Sequence, residues 1–379
     1  MKKILFAVFM AVIVGVGGFF GVVQPLYEAA AIPDEVRLTQ QEYDSGIRLG
    51  KAWGLTHQTN STTRVSDDAE RWIDLKLLGI FPVKRIKVDV FPFDTVSAGG
   101  VPIGFVAKTD GVIVLENAGG LKKGDVIKRV NGAAVESVAE LKKLTEETGE
   151  QACKIELVRK RKNLNIESEL KSVWLKDETS GMGILTYVNP DNNNFASLGH
   201  RLTDFETGTG IDVRGGDVFL CNIIGVEKSA GRTVGEFKTT LKKGSEVRQG
   251  SVLSSNENGV FGCLFEDSVL KERASEVLPV ASRYGVKPGK AKLRTSLDGE
   301  NVRDYDIEIV KARFQKEAAS KSMVVRITDK ELLAKTGGII HGMSGSPIIQ
   351  NGHIVGALTH VTVADSAVGY GIYIDFVVP

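Results

Sequence analysis

The sequence lacks a charge excess, a disulfide framework and any metal-binding spacing. Its 379 residues include 48 Lys and Arg against 47 Asp and Glu, so the charge gives no indication of a nucleic acid or an acidic polymer as partner. The three cysteines, Cys153, Cys221 and Cys263, cannot all pair with one another, and each stands in an apolar, strand-like context. We therefore expect buried free thiols, with a Cys221–Cys263 disulfide as the alternative. We expect neither a metal nor a cofactor, because no Cys–His spacing is typical of a metal site.

One long apolar run is present at the start of the chain. Lys2 and Lys3 precede residues 4–23, which carry no charge and are long enough to cross a bilayer. Small residues at 29–31 offer a cleavage site, so a removed signal peptide is the alternative. The length of the run favours an uncleaved anchor over residues 1–27. In both cases we expect the bulk of the chain to be exported.

The composition predicts a mostly β protein with more than one domain. The length exceeds the usual single core, and 42 glycines accompany many Val- and Ile-rich runs. Residues 28–87 are polar and weakly patterned, which indicates a linker. Short strands are expected at residues 183–188, 218–226, 251–265, 305–312 and 323–328, with a helix at 329–335. This pattern is consistent with a trypsin-like pair of β-barrels over residues 170–379.

The hexapeptide Gly342-Met343-Ser344-Gly345-Ser346-Pro347 is the strongest chemical signal. It has the layout of the nucleophile loop in chymotrypsin-like serine proteases, in which the N–H groups of Gly342 and Ser344 would form an oxyanion hole. Apolar runs flank Asn351-Gly352, which predicts a β-hairpin directly after the loop. An ordinary Gly/Ser/Pro turn is the alternative interpretation.

A nucleophilic serine needs a base, and five histidines are available: His57, His200, His341, His353 and His360. His200 follows an apolar run that breaks at Gly199, so the imidazole is expected at the end of a strand. His57 lies in a polar stretch and is expected to face solvent, while His341 is too close in sequence to fold back onto Ser344. His360 ends a strand-like run and could lie near the site, but it has no local signature. His200 is therefore the candidate base, with a structural role as the alternative.

Residues 197–200, 321–329, 336–349 and 358–372 carry a resemblance to a known family. The chain resembles the stage IV sporulation protein B (SpoIVB) serine peptidases of endospore-forming bacteria over nearly its whole length. The resemblance implies that His200 is the general base, Asp329 the orienting residue and Ser344 the nucleophile. Asp329 precedes Ser344 by 15 residues, which is unusually close, so Asp204 and Asp212 stay open as alternatives.

The same resemblance implies a biological setting. Such a peptidase acts between the two membranes around the developing spore, where it cleaves a regulator of an intramembrane metalloprotease. That cleavage triggers a late mother-cell sigma factor. Self-cleavage near the N-terminus is also implied. Its partners would then be a protein substrate and the membrane, with no nucleic acid.

Residues 88–165 resemble a PDZ domain. The signature Gly-Asp-Val-Ile at residues 124–127 is followed by Val-Asn-Gly at 130–132, and a helix is predicted at 138–145. A loop resembling the carboxylate-binding loop is expected to hold an extended peptide by strand addition; it consists of Val101, Pro102, Ile103, Gly104 and Phe105. A generic hairpin module is the alternative. The second function class is accordingly a PDZ peptide-binding scaffold with an idle peptidase fold.

Overall fold

The computed structural model describes residues 22–50, 54–61, 70–148, 152–170, 173–197, 199–241, 247–274, 276–313, 315 and 317–377. The described residues form two compact units, here called the N-terminal unit (up to Asp94, with Pro279–Val286) and the main unit. The predicted membrane span at residues 4–23 lies almost entirely outside the described residues. Within the described ranges, no helix is both long and apolar enough to cross a membrane.

Strands dominate both units. The strands are β1 Glu35–Leu38, β2 Leu55–Ser61, β3 Arg71–Leu77, β4 Phe81–Val90, β5 Thr95–Ala98, β6 Pro102–Val114, β7 Val126–Val130, β8 Ala133–Ala134, β9 Cys153–Arg159, β10 Lys162–Ser168, β11 Leu175–Val188, β12 Asn194–Ser197, β13 Val213–Glu227, β14 Glu236–Leu241, β15 Arg248–Asn256, β16 Gly259–Leu264, β17 Val277–Pro279, β18 Gly289–Ser296, β19 Val302–Ala312, β20 Met323–Ile327, β21 Pro347–Gln350, β22 His353–Val361 and β23 Val368–Tyr373. The helices are α1 Gln24–Ala31, α2 Gln40–Asp44, α3 Val138–Thr148, α4 Val269–Arg273, α5 Lys330–Thr336 and α6 Ile374–Val377.

The N-terminal unit is folded, so the prediction of a linker over residues 28–87 is wrong. Its sheet has the order β1-β4-β3-β2 and covers a core that includes Ile73, Leu75 and Ile86. His57, expected to face solvent, lies half-buried in β2 and its Nε2 accepts a hydrogen bond from Leu49 N at 3.2 Å. β2 was not predicted because most of its residues are polar. A strand at the edge of a sheet needs few apolar side chains.

Six strands of the main unit close into a first ring of pairings. β6 pairs with β13, β13 with β15, β15 with β16, β16 with β12, β12 with β11, and β11 again with β6. The interior is packed with fully buried apolar side chains, among them Ile103, Phe105 and Val218. β12 ends at Ser197, so the chain leaves this ring just before His200, as the sequence predicts.

A second ring lies in the C-terminal part of the main unit. The strands β18-β19-β20-β23-β22-β21 form a closed barrel. The predicted hairpin is confirmed as β21 and β22, with Gln350 opposite His353 and positive φ angles at Asn351 (52°) and Gly352 (79°). Two closed rings of strand pairs are therefore present, as a pair of β-barrels requires, and the nucleophile loop enters the second ring at Pro347.

A smaller module is inserted into the first ring between β6 and β11. It contains β7, β8, α3, β9 and β10, and we call it the inserted module. Its own core includes Val112, Ile127 and Leu141. Asn131-Gly132 forms the turn between β7 and β8, and the helix predicted at 138–145 is confirmed as α3. The module shares β6 and β11 with the barrel, so the boundaries predicted at residues 88 and 165 do not separate it from the barrel strands.

The five residues expected to bind a peptide lie in the first ring of strands and not at a free strand edge. Val101 and Phe105 are buried in the core of the first ring. Gly104 in β6 is paired with Phe219 of β13 on one side and with Met182 of β11 on the other. A peptide cannot add to a strand whose two edges are already paired. The prediction of strand addition at Val101, Pro102, Ile103, Gly104 and Phe105 is therefore wrong.

Candidate active site

The nucleophile loop is held between the two rings. Ile184 N of β11 donates a hydrogen bond to Ser344 O at 2.8 Å, and Thr186 Oγ1 of the same strand donates to Gly345 O at 2.8 Å. From the second ring, Leu358 O accepts from Gly345 N at 2.8 Å. The loop is thus fixed on both sides by regular strands. Such rigid placement is what a reacting group needs.

Two backbone amides of this loop are available to a ligand. Among the described residues, neither Gly342 N nor Ser344 N donates to a backbone carbonyl. Gly342 has a φ of 98°, and a Cβ there would lie 2.7 Å from Phe237 Cδ2 and 3.0 Å from Met182 Sδ. Glycine is therefore required at position 342 for both its backbone angle and the space around it. Backbone amides without a partner next to a reactive hydroxyl are the kind of donor that stabilises an oxyanion.

The two serines of the loop differ in their surroundings. Ser344 is half-buried, and its Oγ donates to Thr359 O at 2.8 Å. Ser346 is fully buried, and its Oγ donates to Met343 O at 2.7 Å, within the loop itself. A reactive hydroxyl must be reachable, so Ser344 fits the nucleophile and Ser346 fits a structural role.

The same Thr359 also contacts the chain just before His200. Gly199 has a φ of 63°, and a Cβ there would lie 2.8 Å from Thr359 Cγ2. The His200 Nδ1 lies 2.9 Å from Arg201 O. Because a carbonyl oxygen can only accept, Nδ1 carries the hydrogen and Nε2 is left unprotonated in the neutral ring. Thr359 therefore lies next to both Ser344 and Gly199, while no hydrogen bond joins Ser344 to His200 among the described residues.

The state of the His200 ring suits a base. Burial lowers its pKa below the ordinary value of 6.5, and the hydrogen bond with the Arg201 carbonyl opposes this only in part. The imidazole is consequently neutral at neutral pH. A neutral imidazole is the form that accepts a proton.

His360, which the sequence offers as a residue that could lie near the site, is a direct neighbour of His200. Its ring centroid lies 5.3 Å from that of His200, with the two planes at 44°. His360 Nδ1 is buried and has no hydrogen-bond partner among the described residues. Burial, then the charges of His200 and Lys321, lower its pKa to about 4. The His360 ring is thus a neutral group packed beside His200. In the sequence, the only indication of this position is that His360 follows Thr359 directly.

Asp329, expected to orient His200, is engaged elsewhere. Its Oδ1 accepts from Leu332 N at 2.9 Å and its Oδ2 from Asp306 N at 3.3 Å. These contacts make it the N-cap of α5, a standard use of aspartate. Both carboxylate oxygens are occupied by backbone amides, so the geometry gives the orienting role no support.

The two alternative carboxylates are also committed. Asp204 is buried and binds Lys176 Nζ at 2.6 Å and Thr179 Oγ1 at 2.8 Å. Asp212 forms an ion pair with Arg201. In the part of the chain that the structure describes, no hydrogen bond or ion pair joins Asp204, Asp212 or Asp329 to His200. The group on His200 Nδ1 is instead the Arg201 carbonyl.

Replacing Asp329 with Ala is expected to destabilise the protein by about 1 kcal/mol through the lost N-cap, while Asp329→Ser retains a capping oxygen and most of this stability. We expect kcat to fall less than about tenfold in both variants, because the Asp329 side chain does not contact His200. Urea unfolding and cleavage kinetics measure the two effects. A loss near 10⁴-fold in stable Asp329→Ser protein would instead assign the orienting role to Asp329.

A cavity of about 970 Å³ in the main unit opens onto His200 and His360. The three cysteines, Cys153, Cys221 and Cys263, lie in separate strands and do not line this cavity. No group of three or more potential metal ligands occurs among the described residues.

The solved structures that match include the active form of the Rv3671c protease from M. tuberculosis, at 11% identity over 52% of this chain and 71% of that chain with a TM-score of 0.30, and its inactive form, at 12% identity over 52% and 80% with a TM-score of 0.28. No curated protein matches the chain. The family model described as SpoIVB peptidase S55 matches residues 169–378, more than half of the sequence. The chain therefore belongs to the SpoIVB peptidase S55 family and is a peptidase.

Proposed function

We propose that the chain is a serine endopeptidase with Ser344 as nucleophile and His200 as general base. The observation that carries the proposal is the nucleophile loop, in which the free amides of Gly342 and Ser344 flank a reachable hydroxyl. The Ser344 hydroxyl donates to Thr359 O, and the ring of the next residue, His360, lies 5.3 Å from the neutral ring of His200. Family membership supplies the reaction class, and the geometry supports these roles.

The reaction begins when the Ser344 hydroxyl turns from Thr359 O to a bound substrate. Its proton passes to His200 Nε2 as the Oγ–carbon bond forms, and the carbonyl oxygen becomes an oxyanion at the Gly342 and Ser344 amides. The imidazolium keeps its Nδ1 hydrogen on the Arg201 carbonyl and gives the Nε2 proton to the leaving amine. The peptide C–N bond then breaks and an acyl enzyme is left. A water molecule then gives a proton to His200 Nε2 and attacks the acyl carbon. The ester bond breaks, the proton returns to Ser344 Oγ, and the carboxylic acid product leaves.

The biological setting is part of the proposal. The enzyme would be exported and anchored by residues 1–27, and it would act between the two membranes of the developing spore. Its substrate would be a protein regulator of an intramembrane metalloprotease, cleaved in the signalling route to a late mother-cell sigma factor, with processing of its own N-terminal region. The support is the family membership together with the charge-free run at residues 4–23.

Fluorophosphonate labelling of the full chain tests the peptidase assignment. A fluorophosphonate phosphonylates a serine hydroxyl only when a base activates it, so we expect one label on Ser344, located by peptide mass spectrometry. The Ser344→Ala and His200→Ala variants are expected to remain unlabelled. Absence of label on folded wild-type protein would contradict the proposal. It would favour the second candidate, a peptide-binding scaffold built on an idle peptidase fold.

A further inference from the structure

The cavity beside His200 has two different walls. The inserted module supplies one wall with the turns at residues 122–128 and 158–163, and the first ring supplies the other with residues 200–212 and Glu257. His200 and His360 line the same cavity of about 970 Å³. A polypeptide lying in it would therefore reach the proposed general base from the side of the inserted module.

The charges on these walls do not cancel. Each carboxylate that lines the cavity is paired with a cation that also lines it: Asp110 with Lys128, Asp125 with Arg159, Asp212 with Arg201, and Glu257 with Arg161 and Arg201. Three further lysines, Lys122, Lys123 and Lys160, line the cavity and are exposed. None of these three has a carboxylate partner among the described residues. The cavity therefore presents uncompensated positive charge.

We infer that this cavity binds an acidic segment of the substrate protein, with Lys122, Lys123 and Lys160 contacting its Asp or Glu side chains. The inference rests on the proposed function and names the substrate class for it. Lysine carries a compact, hydrated charge on a flexible stem, which suits exposed carboxylates. The cleaved bond would lie at the His200 end of the cavity, with the acidic residues toward the inserted module.

A polypeptide fits these observations better than a nucleic acid. The cavity leads to a base proposed for peptide chemistry, and its unpaired cations are confined to the turns at residues 122–123 and 160. Nucleic acid binding depends on many phosphate contacts along an extended basic surface. The near-equal numbers of basic and acidic residues in the whole chain, 48 and 47, give no such excess.

Fluorescence anisotropy with the full-length Ser344→Ala protein tests the inference without consuming the ligand. The probes are a short fluorescein-labelled peptide rich in Glu and otherwise identical peptides with Gln or Lys in place of Glu. We expect the Glu peptide to bind at least about tenfold more tightly than the Gln peptide at low ionic strength, and the Lys peptide to bind most weakly. Added salt should reduce this difference, because the contacts are exposed.

A matched pair of double variants assigns the effect to the cavity. Lys122→Glu/Lys123→Glu should abolish the preference for the Glu peptide. Lys142→Glu/Lys143→Glu makes the same charge change on the exposed side of α3, away from the cavity, and should preserve the preference. In protein that retains Ser344, Lys122→Glu/Lys123→Glu should raise KM for a Glu-rich substrate at unchanged kcat. Lys142→Glu/Lys143→Glu should change neither KM nor kcat.

Several outcomes would overturn the inference. They are equal binding of the Glu and Gln peptides, equal losses in the two double variants, or tight binding of a single-stranded oligonucleotide without preference among the peptides. The binding readout does not depend on catalysis. An unlabelled Ser344 in the fluorophosphonate experiment would therefore reject the assignment of Ser344 as nucleophile alone, whereas failed peptide discrimination in an active enzyme would reject the acidic-substrate inference alone.

Discussion

Replacing Ser344 with alanine is expected to abolish peptide cleavage and to leave the protein folded. Without the Oγ no acyl enzyme forms, and the loss in kcat should reach about 10⁴–10⁶-fold, since removing the nucleophile of a serine protease leaves only binding and the oxyanion hole. The variant also loses the hydrogen bond from Ser344 Oγ to Thr359 O, which costs about 1 kcal/mol. Cleavage kinetics and urea unfolding on the same preparation measure both quantities.

Ser346→Ala is the matched control, because it removes the same atom two residues away. The fully buried Ser346 Oγ donates to Met343 O, which also accepts from Ser346 N at 3.1 Å, so Met343 O keeps one partner and the loss of the hydroxyl should cost about 1 kcal/mol. Its kcat should stay within about tenfold of wild type at temperatures where the variant is folded. Retained cleavage in Ser344→Ala, or an inactive but stable Ser346→Ala, would show that the nucleophile is assigned to the wrong residue.

The parts of the site that the sequence predicts correctly depend on neighbouring residues. Asn351 and Gly352 both adopt positive φ angles, a demand that few residue types meet, so the hairpin after the nucleophile loop is visible without any tertiary information. Gly342 is similar, since its φ of 98° excludes most other residues. His200 was found because Gly199 breaks an apolar run at the end of β12. Turn chemistry of this kind is local and can be read from the chain.

The predictions that the structure overturns or leaves without support, and the neighbours that the sequence does not show, depend on contacts between distant parts of the chain. Residues 101–105 have the local pattern of a peptide-binding loop, but β13, more than one hundred residues later, covers the strand edge that a peptide would need. Asp329 stands before a helix, where an N-cap role competes with a catalytic one, and sequence spacing alone does not separate the two roles. The place of His360 beside His200 arises only from the packing of β22, in the second ring, against the chain after β12.

Replacing the proposed base, His200, is expected to have the second large effect on kcat. His200→Ala is expected to lower kcat by about 10⁴-fold or more, because the Ser344 proton then has no acceptor. His353→Ala is the control: His353 lies at the hairpin turn, where its Nδ1 contacts Asn351 O at 3.0 Å, and its removal should leave kcat unchanged. Circular dichroism and urea unfolding establish that both variants are folded. Equal activity of the two variants would show that His200 is not the general base.

The pH dependence of the wild-type enzyme separates two ways of orienting His200. Burial holds the pKa of His200 below 6.5 while its Nδ1 hydrogen lies on the Arg201 carbonyl, so the neutral base persists below that pH. Activity is lost as pH falls through the lowered pKa, and we expect the acidic midpoint of kcat/KM below 6.5. A carboxylate on Nδ1 would stabilise the imidazolium and move this midpoint above 6.5. A midpoint above 6.5 that Asp329→Ser shifts downward would therefore contradict the carbonyl-oriented base and establish Asp329 as its partner.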